Sequence, residues 1–195
     1  IELGFTEPYF LDRRMAVGAD LFLRDTNFVE SGFRQKSIGT SLRTAFPLTE
    51  YIVMQLKYSL IQDTVVTSFF TDSPYIKDSS GDFLTSSVGF GLSYNSLDNP
   101  QKPTKGQLIT MNQEIAGAGG NEKFIKTLAK YDLYIPVYKT WVFNVAAEVG
   151  HIEGLSGNIR LNRRFFIGNP RMRGFKEAGL GPREWKPGNT NLFTG

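Results

Sequence analysis

The 195-residue chain contains no cysteine and a single histidine, His151. A disulfide framework, a thiolate nucleophile and a cysteine-ligated zinc are therefore excluded. One imidazole leaves little material for a metal site or a Ser-His-Asp triad. Neither sign of charge dominates: 22 Lys+Arg against 19 Asp+Glu give a net charge of +3. That excess is too small and too scattered for a nucleic-acid footprint. No apolar run reaches the ~18 residues of a transmembrane helix. Position 1 opens inside a patterned segment, without the basic and apolar stretches of a leader. What the chain does have is 20 Gly, 16 Phe and 41 % hydrophobic residues, enough apolar material to fold.

The apolar residues recur with a period of two. In Phe83–Asn95, Leu84, Ser86, Val88, Phe90, Leu92 and Tyr94 alternate with Thr85, Ser87, Gly89, Gly91, Ser93 and Asn95. Trp141, Phe143, Val145, Ala147 and Val149 alternate with Asn144, Glu148 and Gly150. Ile52, Met54, Leu56, Tyr58 and Leu60 face away from Val53, Gln55, Lys57 and Ser59, and similar runs occur at 1–6, 15–24, 37–46, 108–115 and 124–135. Successive side chains of an extended strand leave opposite faces, so this is strand periodicity. Helical spacing is missing, and almost no helix is expected. The pattern predicts eight strands, at 1–7, 14–25, 34–46, 50–62, 83–96, 106–115, 122–135 and 140–151.

Connections alternate in length. Short or proline-marked turns fall at 8–13, 47–50, 97–105 and 136–139; longer or glycine-rich ones fall at 25–33, 63–82 and 117–121, and a very long segment follows Ile152. This describes an antiparallel up-and-down meander whose two ends differ. Several strands approach the ~9–11 tilted residues that cross a bilayer. Alternation alone leaves two solvents open for the apolar face, a protein core as in a soluble lipocalin-like barrel, or lipid. A polar face carrying Arg43, Lys57, Glu114, Lys126, Lys130, Asp132 and Glu148 suits a hydrated lumen or a soluble exterior. Phe46, Tyr58, Tyr94 and Trp141 are expected near strand ends, where interfacial aromatic girdles lie.

Four stretches carry a resemblance. Arg163-Arg164-Phe165-Phe166-Ile167-Gly168-Asn169-Pro170-Arg171-Met172-Arg173-Gly174-Phe175 resembles the sixth extracellular loop of the BamA family of outer-membrane protein assembly factors, whose signature is apolar-Arg-Gly-aromatic. Gly179-Leu180-Gly181-Pro182-Arg183 is similar to its continuation. Gly4-Phe5-Thr6-Glu7-Pro8-Tyr9-Phe10, and Leu97-Asp98-Asn99-Pro100 with Pro103-Thr104-Lys105-Gly106, resemble turns of the same barrel. The chain departs from the pattern at Met172, where Val or Ile is usual, and at Asn169, where a second glycine is usual.

The resemblance implies an all-β, transmembrane β-barrel wall of about eight strands from a larger barrel of roughly sixteen, opening in its fourth strand and stopping as the twelfth begins. Residues 1–152 would be the partial wall, and 153–195 a long extracellular loop folded into the lumen and ending at the next strand. It implies an insertase in the bacterial outer membrane, without nucleotide hydrolysis, cofactor, metal or catalytic residue. Its partners would be unfolded outer-membrane protein clients, assembly-machine lipoproteins and outer-membrane lipid, with no nucleic acid. Met172, Arg173, Gly174 and Phe175 would form the lumen-loop motif. Arg173 would pair with carboxylates on the inner wall, Gly174 would let the loop turn and Phe175 would pack it. The family's acidic partners lie on strands not in this chain, which leaves Glu148 and Glu114 as possible loop support. His151 is expected at the rim, and Asp98-Asn99-Pro100 as turn chemistry. Gly39, Gly89 and Gly91 are expected to relieve crowding in the wall. An isolated piece with two free strand edges is expected to be unstable in water. Alternative readings are a sister transporter, TamA-like or FhaC-like, a passive porin, or a barrel enzyme of the phospholipase kind.

Overall fold

The computed structural model describes residues 1–28, 33–67, 80–157, 159–165, 167, 168, 172, 174, 175, 180, 183, 184, 192 and 193. Eight strands follow one another: β1 (Glu2–Glu7), β2 (Ala16–Phe28), β3 (Phe33–Pro47), β4 (Ile52–Thr67), β5 (Gly81–Asn95), β6 (Gly106–Ala116), β7 (Phe124–Tyr138) and β8 (Trp141–Gly154). Each pairs antiparallel with its sequence neighbours in one sheet of order β1 to β8, and among the described residues β1 and β8 do not pair with each other. A two-residue pair, β9 (Arg183–Glu184) with β10 (Leu192–Phe193), lies apart from this sheet. The only helical elements among the described residues are 3-10 turns at Phe10–Asp12 and Leu161–Arg163.

The eight expected strands are all present, and several run further than side-chain alternation suggested. β4 has 16 residues and continues through Asp63 and Thr64 to Thr67. The expected loop at 25–33 is mostly strand, with pairs from Asp25↔Lys36 to Phe28↔Phe33. Ladder pairing needs only the backbone, so a strand continues where polar side chains such as Asp25, Asn27 and Thr64 interrupt the apolar alternation. Pro136 was expected in a turn; instead β7 passes through it with a bulge before Tyr138, and Lys139, at φ 45°, makes the reversal. β6 pairing ends at Gly106↔Tyr134. Beyond that point β7 is an edge, where a proline lacking an N–H is tolerated.

The register sorts side chains by face, because directly opposite residues point the same way. One rung reads Gly4, Asp20, Ser41, Ser59, Ser87, Ala116, Phe124 and Gly154 across all eight strands. A second reads Thr6, Gly18, Arg43, Lys57, Gly89, Glu114, Lys126 and Ile152. The opposite face carries Phe5, Ala19, Leu42, Tyr58, Val88, Ile115 and Ile125 on one rung. Burial inverts the usual soluble pattern. Among the described residues, Asp63, Thr85 and Ser86 are the largest fully buried side chains, while Leu21, Leu42, Phe143 and Val149 are exposed. The apolar stripe through Leu92, Phe143 and Val145 meets no core. An unpartnered apolar face of this extent requires an apolar environment.

Glycine on the polar face leaves room for its neighbours. A Cβ on Gly39 would lie 2.8 Å from the Phe22 ring and 2.9 Å from the Leu60 carbonyl oxygen. The same atom on Gly89 would make only ordinary contacts. Of the four aromatics expected at strand ends, Phe46, Tyr94 and Trp141 lie there. Tyr58 does not: it sits mid-strand opposite Val88, with its hydroxyl 3.0 Å from Ser86 Oγ. That hydroxyl partner lets a tyrosine occupy an apolar position far from the interface.

The β5–β6 turn is built around Asp98. Its Oδ1 accepts from the backbone N–H groups of Thr104 (2.9 Å) and Lys105 (3.1 Å), and Oδ2 accepts from the Thr104 hydroxyl at 2.5 Å. The Thr104 hydroxyl, followed by the Thr104 and Lys105 amides, holds the Asp98 carboxyl far below the usual carboxylate range. Because the folded value is depressed, the stabilisation is complete above the unfolded value near ~3.9 and fades as pH falls toward the folded one. The Tm advantage of the parent over Asp98→Asn is therefore expected to be constant from pH 7 to about 5 and to shrink below about pH 4. A gap that widens on acidification would contradict this account.

Candidate functional site

The long segment after β8 returns across the polar face. Leu155 N–H bonds to the Lys123 carbonyl at 2.9 Å, and the Leu161–Arg163 turn closes with Arg163 N–H on the Arg160 carbonyl at 3.0 Å. From this turn the Arg163 guanidinium reaches three elements at once. Its Nη2 donates to Asp63 Oδ2 of β4 at 2.7 Å and to Thr85 Oγ1 of β5 at 2.5 Å, and its Nε donates to Glu122 Oε2 at 2.8 Å. The side chains of Asp63, Glu122 and Arg163 are 1 %, 5 % and 15 % exposed. Arg160 Nε lies 3.3 Å from Glu122 Oε1, and its guanidinium stacks over Phe83. Burial lowers the Arg160 pKa, with Glu122 opposing the shift and Arg163 adding to it. Two cations face two anions, so the group is balanced. Leaving any one of a buried set unpaired costs about 3–5 kcal/mol.

Both carboxylates are positioned by the wall. Asp63 Oδ1 accepts from Ser37 Oγ (2.5 Å) and Gln35 Nε2 (2.9 Å), and Glu122 Oε2 accepts from Thr85 Oγ1 (2.7 Å). Glu122 arrives there because the β6–β7 loop folds over the end of β5. β6 pairs with β5 only from Ser87 onward, and the loop serves the carbonyls beyond: Gly117 N–H bonds to Ser86 O (3.1 Å) and Asn121 N–H to Leu84 O (2.7 Å). Gly120 makes this approach possible, since a Cβ there would lie 2.5 Å from the Leu84 oxygen. Further along the segment, Phe165 covers Gly150, where a Cβ would be 2.8 Å from the ring. Lys126 Nζ lies 4.6 Å from that ring's centre and donates to the Arg163 carbonyl at 3.2 Å.

Of the residues singled out from sequence, Arg173 lies outside the described residues. Its neighbours form a turn: Met172 N–H bonds to Gly168 O (2.9 Å), Phe175 N–H to Met172 O (3.4 Å), and Gly174 has φ 91°. Leu180 N–H bonds to Ile167 O at 2.9 Å. Met172 and Phe175 are both exposed. Glu148 pairs with Lys130 on the adjacent strand at 3.4 Å, and Glu114 stands opposite Lys126. Among the described residues, Asp63 and Glu122 receive Arg163, and Glu122 also receives Arg160. Sequence reasoning passed over both, one at a strand end and one in a glycine-rich loop. A signal existed, because residues 155–165 hold Arg160, Arg163 and Arg164 with no acid.

The Omp85 superfamily domain model matches residues 1–195. The chain is 28 % identical over 185 residues to "Outer membrane protein assembly factor BamA" of Neorickettsia risticii (strain Illinois), covering 93 % of this chain and 25 % of that protein. It is 28 % identical over 182 residues to "Sorting and assembly machinery component 50 homolog" of Mus musculus, covering 91 % and 38 %. Among solved structures, BamA from Haemophilus ducreyi lacking POTRA domains 1-3 superposes with a TM-score of 0.82 at 20 % identity, covering 93 % of this chain and 38 % of that one. That likeness establishes the fold. The chain spans about a quarter of the length of the first of these relatives.

Proposed function

The chain belongs to the Omp85 superfamily, and on that footing we propose that it is the wall and inner loop of a bacterial outer-membrane insertase, which folds β-barrel proteins into lipid without nucleotide hydrolysis. The observation that carries the reading is the partition of faces: an exposed apolar stripe on one side, and on the other a polar surface onto which the long segment folds. Residues 1–152 are then the wall between lipid and a hydrated lumen, and 153–195 the loop filling that lumen. Bacterial relatives named as outer membrane protein assembly factors support the compartment.

The chemistry is physical rather than covalent. Backbone N–H and C=O groups of a client cannot enter hydrocarbon unpaired. A strand edge at the barrel seam would pair with an incoming client strand, and lipid thinned beside it would lower the barrier. The clients, the lipoprotein partners and the seam belong to the whole protein; this chain contributes the scaffold. Arg173 is the motif residue expected to pair with wall carboxylates, since its planar fork suits bidentate contact.

The reading is tested with the full-length parent protein in liposomes, given an unfolded outer-membrane protein and scored by the client's heat-modifiable mobility. Client folding well above that in empty liposomes is expected. Solute passage without client folding would favour a porin instead. Arg173→Ala is expected to lower client folding several-fold and to lower the parent's Tm by a few degrees, as loss of a charged hydrogen-bonding partner implies. Parent-like melting and folding would remove Arg173 from the mechanism.

A further inference from the structure

We propose that Arg163 is a second anchor of the long segment, separate from the Met172–Phe175 motif, and that it latches the base of the segment to the polar wall. The inference rests on the reading of that face as a barrel lumen. Three observations carry it. First, the wall itself holds the acceptors: Ser37 and Gln35 donate to Asp63, and Thr85 donates to Glu122. Arg163 thus meets carboxylates that the wall already contacts. Second, one guanidinium joins β4, β5 and the β6–β7 loop. A lysine ammonium, a point charge on a flexible stem, cannot copy this planar fork. Third, Phe165, two residues on, covers Gly150 on β8. The base of the segment is thus fixed at both sides of the polar face, whereas Met172 and Phe175 are 45 % and 46 % exposed.

The latch also divides space. Arg163 borders a cavity of about 700 Å³ against β1–β4 and another of about 380 Å³ against β4–β7. Releasing it would loosen the base of the segment from both. Arg163 is in this sense a positioning residue: it sets where Arg173 starts from.

The test uses the full-length parent in liposomes and reads trypsin cleavage after Arg160 and Arg164, the basic residues flanking the latch. Arg163→Gln is expected to speed cleavage about tenfold or more while the barrel keeps its heat-modifiable mobility, because proteolysis follows the population of the opened segment and an unpaired buried charge favours opening. Glu122→Gln, which keeps shape and removes charge, is expected to do the same, and it serves if Arg163→Gln fails to fold. Arg163→Lys is expected to restore little. Arg173→Ala is expected to leave cleavage at these sites within about twofold of the parent, because Asp63, Thr85 and Glu122 still hold Arg163. Unchanged cleavage in Arg163→Gln and Glu122→Gln overturns the latch. Equal loosening by Arg173→Ala overturns the independence of the two anchors. A parent that folds no client but whose Arg163→Gln segment is loosened would reject the insertase reading and keep the latch.

Discussion

Arginine at Val145 is expected to destabilise the full-length protein in a bilayer by about 2–4 kcal/mol, the cost of that side chain on the lipid face near the midplane. Arginine at Ala146, the next residue, is expected to change stability by less than about 1 kcal/mol, as lumen positions tolerate charge. Val145 is opposite Leu133 and lies in the middle of the outward series Trp141, Phe143, Val145, Ala147 and Val149; Ala146 is opposite Asp132 on the polar face. A one-residue step along β8 reverses the face, so the pair isolates environment from position in the chain. Denaturant unfolding from liposomes is the measurement. Equal losses for the two variants would mean that the apolar stripe does not meet lipid, and the insertase reading would fall with it.

Gly106→Ala is expected to cost on the order of 3 kcal/mol or more, through backbone strain and overlap together. Gly106 has φ 109°, a conformation that side chains rarely adopt. A Cβ there would stand 2.2 Å from the Ser96 carbonyl oxygen and 2.8 Å from its carbon, both backbone atoms that cannot swing away. The residue closes the turn that Asp98 organises, and β6 begins at it. Gly119→Ala provides the control. It shares a positive φ of 94° but has open space around the added carbon, so strain alone remains and about 1–2 kcal/mol is expected. Similar losses at both glycines, by thermal or denaturant unfolding, would show that contact with Ser96 adds nothing.

The strands were legible because one physical rule produces them everywhere: a face in lipid or core must be apolar and its opposite need not be. Where that rule lapses, reading the chain failed in a consistent direction. Thr64–Thr67 and Asp25–Phe28 are strand, yet Asp25, Asn27 and Thr64 put polar side chains on the otherwise apolar face, and so they looked like loop. Pro136 looked like a terminator because local sequence does not reveal that β6 has already ended beside it. Tyr58 looked like an interface residue because a hydroxyl's partner, here Ser86, comes from another strand.

The ion cluster was illegible for a further reason. Asp63, Thr85, Glu122 and Arg163 are up to a hundred residues apart, and no spacing rule links them. Only the unbalanced charge of Arg160, Arg163 and Arg164 hinted that acids elsewhere must answer.

By itself the sequence determined the eight strands, their antiparallel succession and which side chains share a face, since each follows from period-two alternation and short turns between neighbours. Tertiary structure alone decided where the long segment lies and which acids receive it. Side chains that converge on one guanidinium are brought there by register and by a loop folded over a strand end. That convergence comes from pairing between distant stretches, which no local pattern encodes.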